Sequence, residues 1–142
     1  MAFSGSFSGS IRTQSIISVN DRPNHSLGVA EISGTQTSSD PKWNNSTITY
    51  WGTTDMQGTQ GTQRGYFVND HGSAGQDRGT FEGNVSVVAG QVGVEGKWQY
   101  TGGAGNFAGI TGGGTFKTKL TSPTTVEASW QGTYELAGAA AV

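Results

Sequence analysis

The side chains that could do acid–base or metal chemistry are few in this sequence and lie far apart. It has only two histidines, and each follows a short segment that contains an aspartate: Asp21 precedes His25, and Asp70 precedes His71. Two imidazoles and two carboxylates could bind a metal ion if these loops met in space. No two histidines are close in sequence, so the spacing does not favour a metal site. We predict loop or capping roles for both histidines, no metal ion and no cofactor.

Other reactive groups also lack the patterns that catalysis needs. The absence of cysteine excludes disulfides, thiolate metal sites and thiol nucleophiles. The sequence contains neither a G-x-S-x-G nucleophile motif nor a phosphate-binding G-x-x-x-x-G-K-[ST] loop. The glutamates alternate with apolar residues in the segments that surround them, so we expect them to face solvent. Nothing in the pattern places two carboxylates in one cleft, as glycoside hydrolysis requires.

Aromatic side chains that alternate with polar ones are the strongest signal in the sequence. Between Val92 and Thr101, for example, valine, tryptophan and tyrosine occupy one face and Glu95 and Lys97 the other. This period of two indicates strands with one buried face. In a closed barrel that face would line the lumen, where aromatic rings could bind an apolar molecule or simply fill the core. The candidate ligand-binding residues are Tyr50, Trp98, Tyr100, Trp130 and Tyr134.

The same period predicts an all-β protein with almost no helix. Eight strands are expected, at about 3–11, 27–35, 47–56, 63–69, 79–88, 92–101, 114–121 and 125–136. Residues 13–26 and 36–46 look irregular, and the tail from 137 to 142 is expected to fray. Short links favour antiparallel up-and-down pairing of consecutive strands, and closure removes exposed strand edges. We therefore predict one domain, residues 1–142, folded as a closed eight-stranded barrel.

The amino-acid composition supports this fold and limits the classes of partner that the protein is expected to bind. Glycine accounts for 24 of 142 residues and charged residues for 13%, with a net charge of −2. Scattered glycine among aromatic and β-branched residues is typical of short, bent strands. The basic residues form no cluster, which argues against nucleic-acid binding. There is no leader-like N-terminus and no apolar run of about 20 residues. We expect a cytoplasmic protein that does not bind membranes.

One glycine-rich segment resembles a known family. Thr101 to Gly109 reads T-G-G-A-G-N-F-A-G, and it is followed by a lysine- and threonine-rich strand, a proline turn and an aromatic last strand. The segment is similar to the T-G-G-x-G-x-F-x-G pattern between two late strands of the allene oxide cyclase-like barrels, which are related in shape to dirigent proteins. The resemblance covers about the C-terminal third of the chain. It implies an eight-stranded barrel that binds, and in some members cyclises, a largely apolar substrate.

The resemblance also implies two candidate catalytic residues near the N-terminus. Plant members use a glutamate, an asparagine and a serine–proline pair to hold a water molecule and polarise an epoxide. Asn20 and Ser26 match the asparagine and the serine, whereas Ser18 stands in the place of the glutamate and Leu27 in that of the proline. Without the carboxylate, the epoxide chemistry of the plant members is not expected. Related bacterial cyclases fold a flexible polyketide chain mainly by confining it, which alone can lower a barrier by several kcal/mol.

Three functions remain open from the sequence. The first is a cofactor-free cyclase or isomerase that acts in the lumen, and the second is a non-catalytic, lipocalin-like binder of a small apolar molecule. The third is a sugar-binding or structural barrel that uses Trp43, Trp51 and the Asn44–Asn45 loop on its surface. Two outward-facing tryptophans would need cover, so we also expect a homo-oligomer, either a dimer or a trimer.

Overall fold

The protein is a closed antiparallel barrel, as predicted. The computed structural model describes residues 1–137, and the eight strands pair in sequence order with β8 returning to β1. The strands are β1 (Ala2–Ser18), β2 (His25–Ser38), β3 (Thr47–Gln57), β4 (Gln60–Asp70), β5 (Gly75–Val88), β6 (Gln91–Gly105), β7 (Thr111–Ser122) and β8 (Thr125–Glu135). A 3-10 turn, Gly72–Ala74, lies between β4 and β5. No helix in this part of the chain is long and apolar enough to cross a bilayer.

The alternation of side chains produces the two faces of the wall. On β6, Val94, Trp98 and Tyr100 are buried in the barrel, while Glu95 and Lys97 between them are exposed. Cross-strand ion pairs follow the outer face, for example between the Lys117 ammonium and the Glu95 carboxylate at 3.6 Å. The predicted inward face of β6 is therefore confirmed.

Glycines on the inner face leave room for the large indole rings. A β-carbon on Gly5 would overlap the Trp130 ring, and one on Gly132 would lie 2.8 Å from the Trp98 ring. Each indole thus lies over a bare stretch of neighbouring backbone. Trp98 and Trp130 need this space, because an eight-stranded barrel has little interior volume.

One end of the barrel, which we call the closed end, is covered by the loops 39–46, 71–74 and 106–110. Trp43 is fully buried there, and Phe107 and Ile110 are each 2% exposed. The Phe3 ring lies 4.7 Å from the Trp43 ring and 4.7 Å from the Tyr134 ring, edge to face. The prediction of a surface Trp43 is wrong, because the 39–46 loop folds inward and uses this side chain as a plug.

The opposite, open end carries the turns 19–24, 58–59, 89–90 and 123–124. The segment predicted to be irregular there is largely a strand: β1 continues to Ser18 after a bulge between Ile11 and Thr13, and pairs with β2 throughout. β8 stops pairing with β1 at Ser10, so the rest of β1 projects beyond the closed part of the wall. The predicted fraying at 137–142 falls, beyond Ala137, outside the described residues.

Candidate functional site

The barrel encloses a cavity of about 70 Å³ that is lined mainly by aromatic and aliphatic side chains. Its polar groups are amides, tyrosine and threonine hydroxyls, and indole N–H groups. Within residues 1–137, no lining side chain is a carboxylate, an imidazole, an ammonium or a guanidinium. The lining residues are Phe7, Gln36, Trp43, Ile48, Tyr50, Gln63, Phe67, Asn69, Phe81, Trp98, Tyr100, Phe116, Thr118, Ala128 and Trp130.

The structure brings together most of the ligand-binding residues predicted from the sequence. Tyr50, Trp98, Tyr100 and Trp130 all line this cavity. Tyr134 is buried, but it lies at the closed end, where its hydroxyl donates a 2.5 Å hydrogen bond to the Asp40 carboxylate.

The two residues suggested by the family resemblance lie elsewhere. Asn20 is exposed in the loop between β1 and β2, and Ser26 is half-buried near the start of β2. Neither residue is among those that line the cavity. Their catalytic role stays a prediction.

A chain of hydrogen bonds forms the floor of the cavity at the closed end. The Trp130 indole N–H donates to the Gln36 side-chain oxygen at 2.9 Å, and the Gln36 amide N–H donates to Asn69 at 3.1 Å. The Asn69 amide N–H then donates to Asp77 at 2.7 Å, and the Trp43 indole N–H reaches the same carboxylate at 2.9 Å. The chain of hydrogen bonds joins the cavity to a carboxylate that is fully buried.

Chemistry fixes the direction of this chain. An indole N–H can only donate, and the carboxylate oxygens that receive the N–H groups of Asn69 and Trp43 act as acceptors. With a donor at one end and an acceptor at the other, both amides must present oxygen toward Trp130 and nitrogen toward Asp77. The side-chain amides of Gln36 and Asn69 are therefore held in a single orientation at the cavity floor, although either could rotate freely in solution.

Asp77 is balanced by His71 on the side away from the cavity. The His71 Nε2 atom lies 2.6 Å from the Asp77 carboxylate, and Nδ1 lies 2.8 Å from the Lys42 carbonyl oxygen. A carbonyl can only accept, so Nδ1 carries a proton, and Nε2 and the carboxylate share one further proton. The pair is neutral overall, which avoids an isolated buried charge. The Phe107 ring stacks on the imidazole at 4.0 Å.

The tyrosine hydroxyls that face the cavity stay protonated at neutral pH. Burial raises the pKa of Tyr50, with no hydrogen bond or charge acting on its hydroxyl within the described chain. Burial and then the negative charge of Asp77 raise the pKa of Tyr100. Both hydroxyls can donate hydrogen bonds to a ligand, but neither can act as a general base under ordinary conditions.

The polar floor was not predicted from the sequence, although a signal for it is present there. Gln36, Asn69 and Asp77 are all buried. Extending the alternation of each strand by a few residues places all three on the inner face, since Ile32, Phe67 and Phe81 point inward and are an even number of positions away. Polar residues on an inner face need partners, and three of them at the same end of β2, β4 and β5 indicate a network.

The two histidines lie at opposite ends of the barrel and do not form a joint site. His25, at the open end, contacts Asp21 through Nδ1 at 2.5 Å and Asp55 through Nε2 at 2.7 Å. Within residues 1–137, no group of three or more histidine, aspartate or glutamate side chains has the arrangement of a metal site.

Comparison with known protein families and curated proteins gives no match. Fold and site place the chain in a structural class: closed eight-stranded up-and-down antiparallel barrels with an apolar cavity in the lumen.

Proposed function

We propose that this barrel binds a small, slim, uncharged and mainly apolar molecule in its lumen. The observation that carries the proposal is the cavity, which is lined by aromatic rings and has oriented amides at one end. Ligand sites in proteins commonly combine an apolar wall with a few fixed polar groups. The loops at the closed end cover that end of the barrel with their buried side chains, so the ligand would enter from the open end.

The volume of the cavity restricts the ligand. An engineered apolar cavity of about 150 Å³ binds benzene, and this cavity is about half that size. A narrow chain therefore fits better than a fused-ring system. A larger ligand would require side chains such as Phe7 or Phe116 to rotate out of the lumen.

The charge of the lining restricts it further. Transferring an ionised group from water into such a site costs on the order of several kcal/mol unless an opposite charge meets it. None of the lining side chains in the described part of the chain carries a positive charge. A neutral oxygen, such as a carbonyl or hydroxyl, could instead bond to the Gln36 or Asn69 amides or to Tyr50. The ligand would then lie along the barrel axis, with its polar end at the floor.

Cyclase or isomerase activity is the finer proposal that the family resemblance adds. A lumen without a general base favours reactions that need only confinement and hydrogen-bond donation, such as ring closure of a flexible chain. In that case the lumen tyrosines and amides are better placed than Asn20 and Ser26 to touch the reacting atoms. Product analysis by mass spectrometry of each bound compound would detect turnover, and unchanged ligand would reduce the function to binding.

Intrinsic tryptophan fluorescence tests the binding proposal directly, because Trp43, Trp98 and Trp130 all line the cavity. We expect saturable changes on titration with slim neutral ligands, such as medium-chain ketones or alcohols. Ala128→Leu, which adds bulk to the lumen, should weaken binding at least about tenfold. Ser129→Leu, on the exposed outer face of β8, is the matched control and should bind normally. No saturable response in the wild type, or equal binding by both variants, would overturn the proposal.

A further inference from the structure

The projecting part of β1, Thr13–Ser18, is a strand with one free edge. It pairs with β2 from Thr13 opposite Glu31 to Ser18 opposite Ser26, whereas β8 reaches only as far as Ser10. Most other residues of the eight strands lie between two neighbouring strands, because the barrel is closed. Along this edge, backbone N–H and C=O groups are therefore available to another extended chain.

The ladder identifies which backbone groups point to the free edge. The Val19 N–H donates to the His25 carbonyl at 2.9 Å, so Val19 and His25 form a hydrogen-bonded pair. In an antiparallel ladder such pairs recur every second residue, so Thr13, Ser15 and Ile17 bond to β2. The N–H and C=O groups of Gln14, Ile16 and Ser18 point away from β2. No strand within residues 1–137 receives them.

This edge lacks the features that usually protect free edges. Thr13–Ser18 contains no charged residue and no proline. It also carries exposed apolar side chains, with Ile16 71% and Ile17 67% exposed. Leu27 and Val29 on β2, beside Ile17 on the outer face, are 46% and 50% exposed. Charge is confined to the ends of the edge, with Arg12 before it and Asp21 after it, and both are at least half exposed.

We propose that two copies of this chain dimerise by antiparallel pairing of these edges, with a two-fold axis at Ile16. In this register Ile16 pairs with Ile16 of the second copy, and Gln14 with Ser18 of the second copy, so the groups that point to the free edge on both copies bond to each other. Arg12 of each copy lies opposite Asn20 of the other and next to Asp21, where the opposite charges attract. Pairing continues the sheet across the dimer and covers the exposed isoleucines.

Sedimentation velocity and light scattering on the full chain test this proposal. We expect a species of twice the 14.7 kDa chain mass at micromolar concentration. Ile16→Pro removes an N–H that β2 does not use, so it should raise the dimer dissociation constant at least about tenfold while near-native circular dichroism is retained. Ile16→Val keeps both the N–H and the branched side chain, and should dimerise like the wild type.

A second variant keeps the test decisive if the proline variant misfolds. Ile16→Lys places two like charges opposite each other at the two-fold axis and should give a folded monomer. A wild type that is monomeric up to about 100 μM overturns the proposal. So does a dimer that persists unchanged in Ile16→Lys, since that dimer would use another surface. Neither result bears on ligand binding in the lumen, which monomer and dimer share.

Discussion

Replacement of Asp77 by asparagine should be among the most destabilising changes that leave residue volume almost unaltered. The Asp77 carboxylate is fully buried and accepts hydrogen bonds from Trp43 at 2.9 Å and Asn69 at 2.7 Å, beside its contact with His71 at 2.6 Å. Asparagine offers one oxygen and an amide nitrogen, and that nitrogen would face a donor whichever way the amide turns. At least one buried donor would then be unpaired, and His71 would lose its carboxylate partner.

The expected loss follows from these contacts. Removing one partner of a buried ion pair costs about 3–5 kcal/mol, and each hydrogen bond to a charged group contributes about 1.5–3 kcal/mol. Because these terms overlap, we expect a fall of about 3–5 kcal/mol in the free energy of unfolding. Against a typical total of about 5–15 kcal/mol, this is a large fraction.

Urea unfolding followed by tryptophan fluorescence measures this loss. With a slope of about 2 kcal/mol per molar urea, the midpoint should fall by about 1.5–2.5 M. Glu95→Gln makes the same chemical change in the exposed pair with Lys117 and is the matched control. It should cost about 0–1 kcal/mol.

The double variant Asp77→Asn with His71→Gln distinguishes the network from mere packing. Because both changes disrupt one interaction, their costs should be clearly less than additive. A loss below about 1 kcal/mol in Asp77→Asn, or strict additivity in the double variant, would refute the view that this network stabilises the closed end.

Three further predictions concern pH, backbone space and hydroxyl pairing. Hydrogen bonds to its two aspartate partners raise the pKa of His25 from 6.5. The His25 interactions therefore contribute fully to stability below about pH 6.5, and this contribution is lost as pH rises through the folded-state pKa. The difference in melting temperature between the wild type and His25→Gln should shrink with rising pH, and a constant difference would contradict this. Gly114→Ala should lower the free energy of unfolding in urea by about 1–3 kcal/mol, because the new β-carbon would overlap a carbonyl oxygen of β8. A β-carbon at Gly93 would have its nearest atom at 3.6 Å, so Gly93→Ala should change the free energy of unfolding by no more than about 0.5 kcal/mol. Tyr134→Phe loses a hydrogen bond to the Asp40 carboxylate and should lower the free energy of unfolding by about 1.5–3 kcal/mol, clearly more than Tyr50→Phe. Equal losses for the two variants in urea unfolding would show that the Tyr134 hydrogen bond contributes nothing.

Local alternation by itself determined the class of fold and much of the lumen. Side chains on a strand point to opposite faces with a period of two, so the run from Val92 to Thr101 identified both a strand and its buried face. The eight strands followed, as did four aromatic residues that line the cavity. These inferences succeeded because they depend only on residues that are neighbours in the chain.

Only the tertiary structure decided how the ends of the barrel are built. Trp43 lies in a polar loop whose sequence has no strand or helix period, and it became a buried plug because an Asp77 oxygen from β5 accepts its N–H. Gln36, Asn69 and Asp77 come from three strands. Asn69 is paired with Asp77 in the β4–β5 ladder, and the registers of β2 with β3 and of β3 with β4 bring Gln36 to the same end of the barrel. Register and loop packing depend on contacts between residues far apart in sequence, and periodicity within one strand carries no information about them.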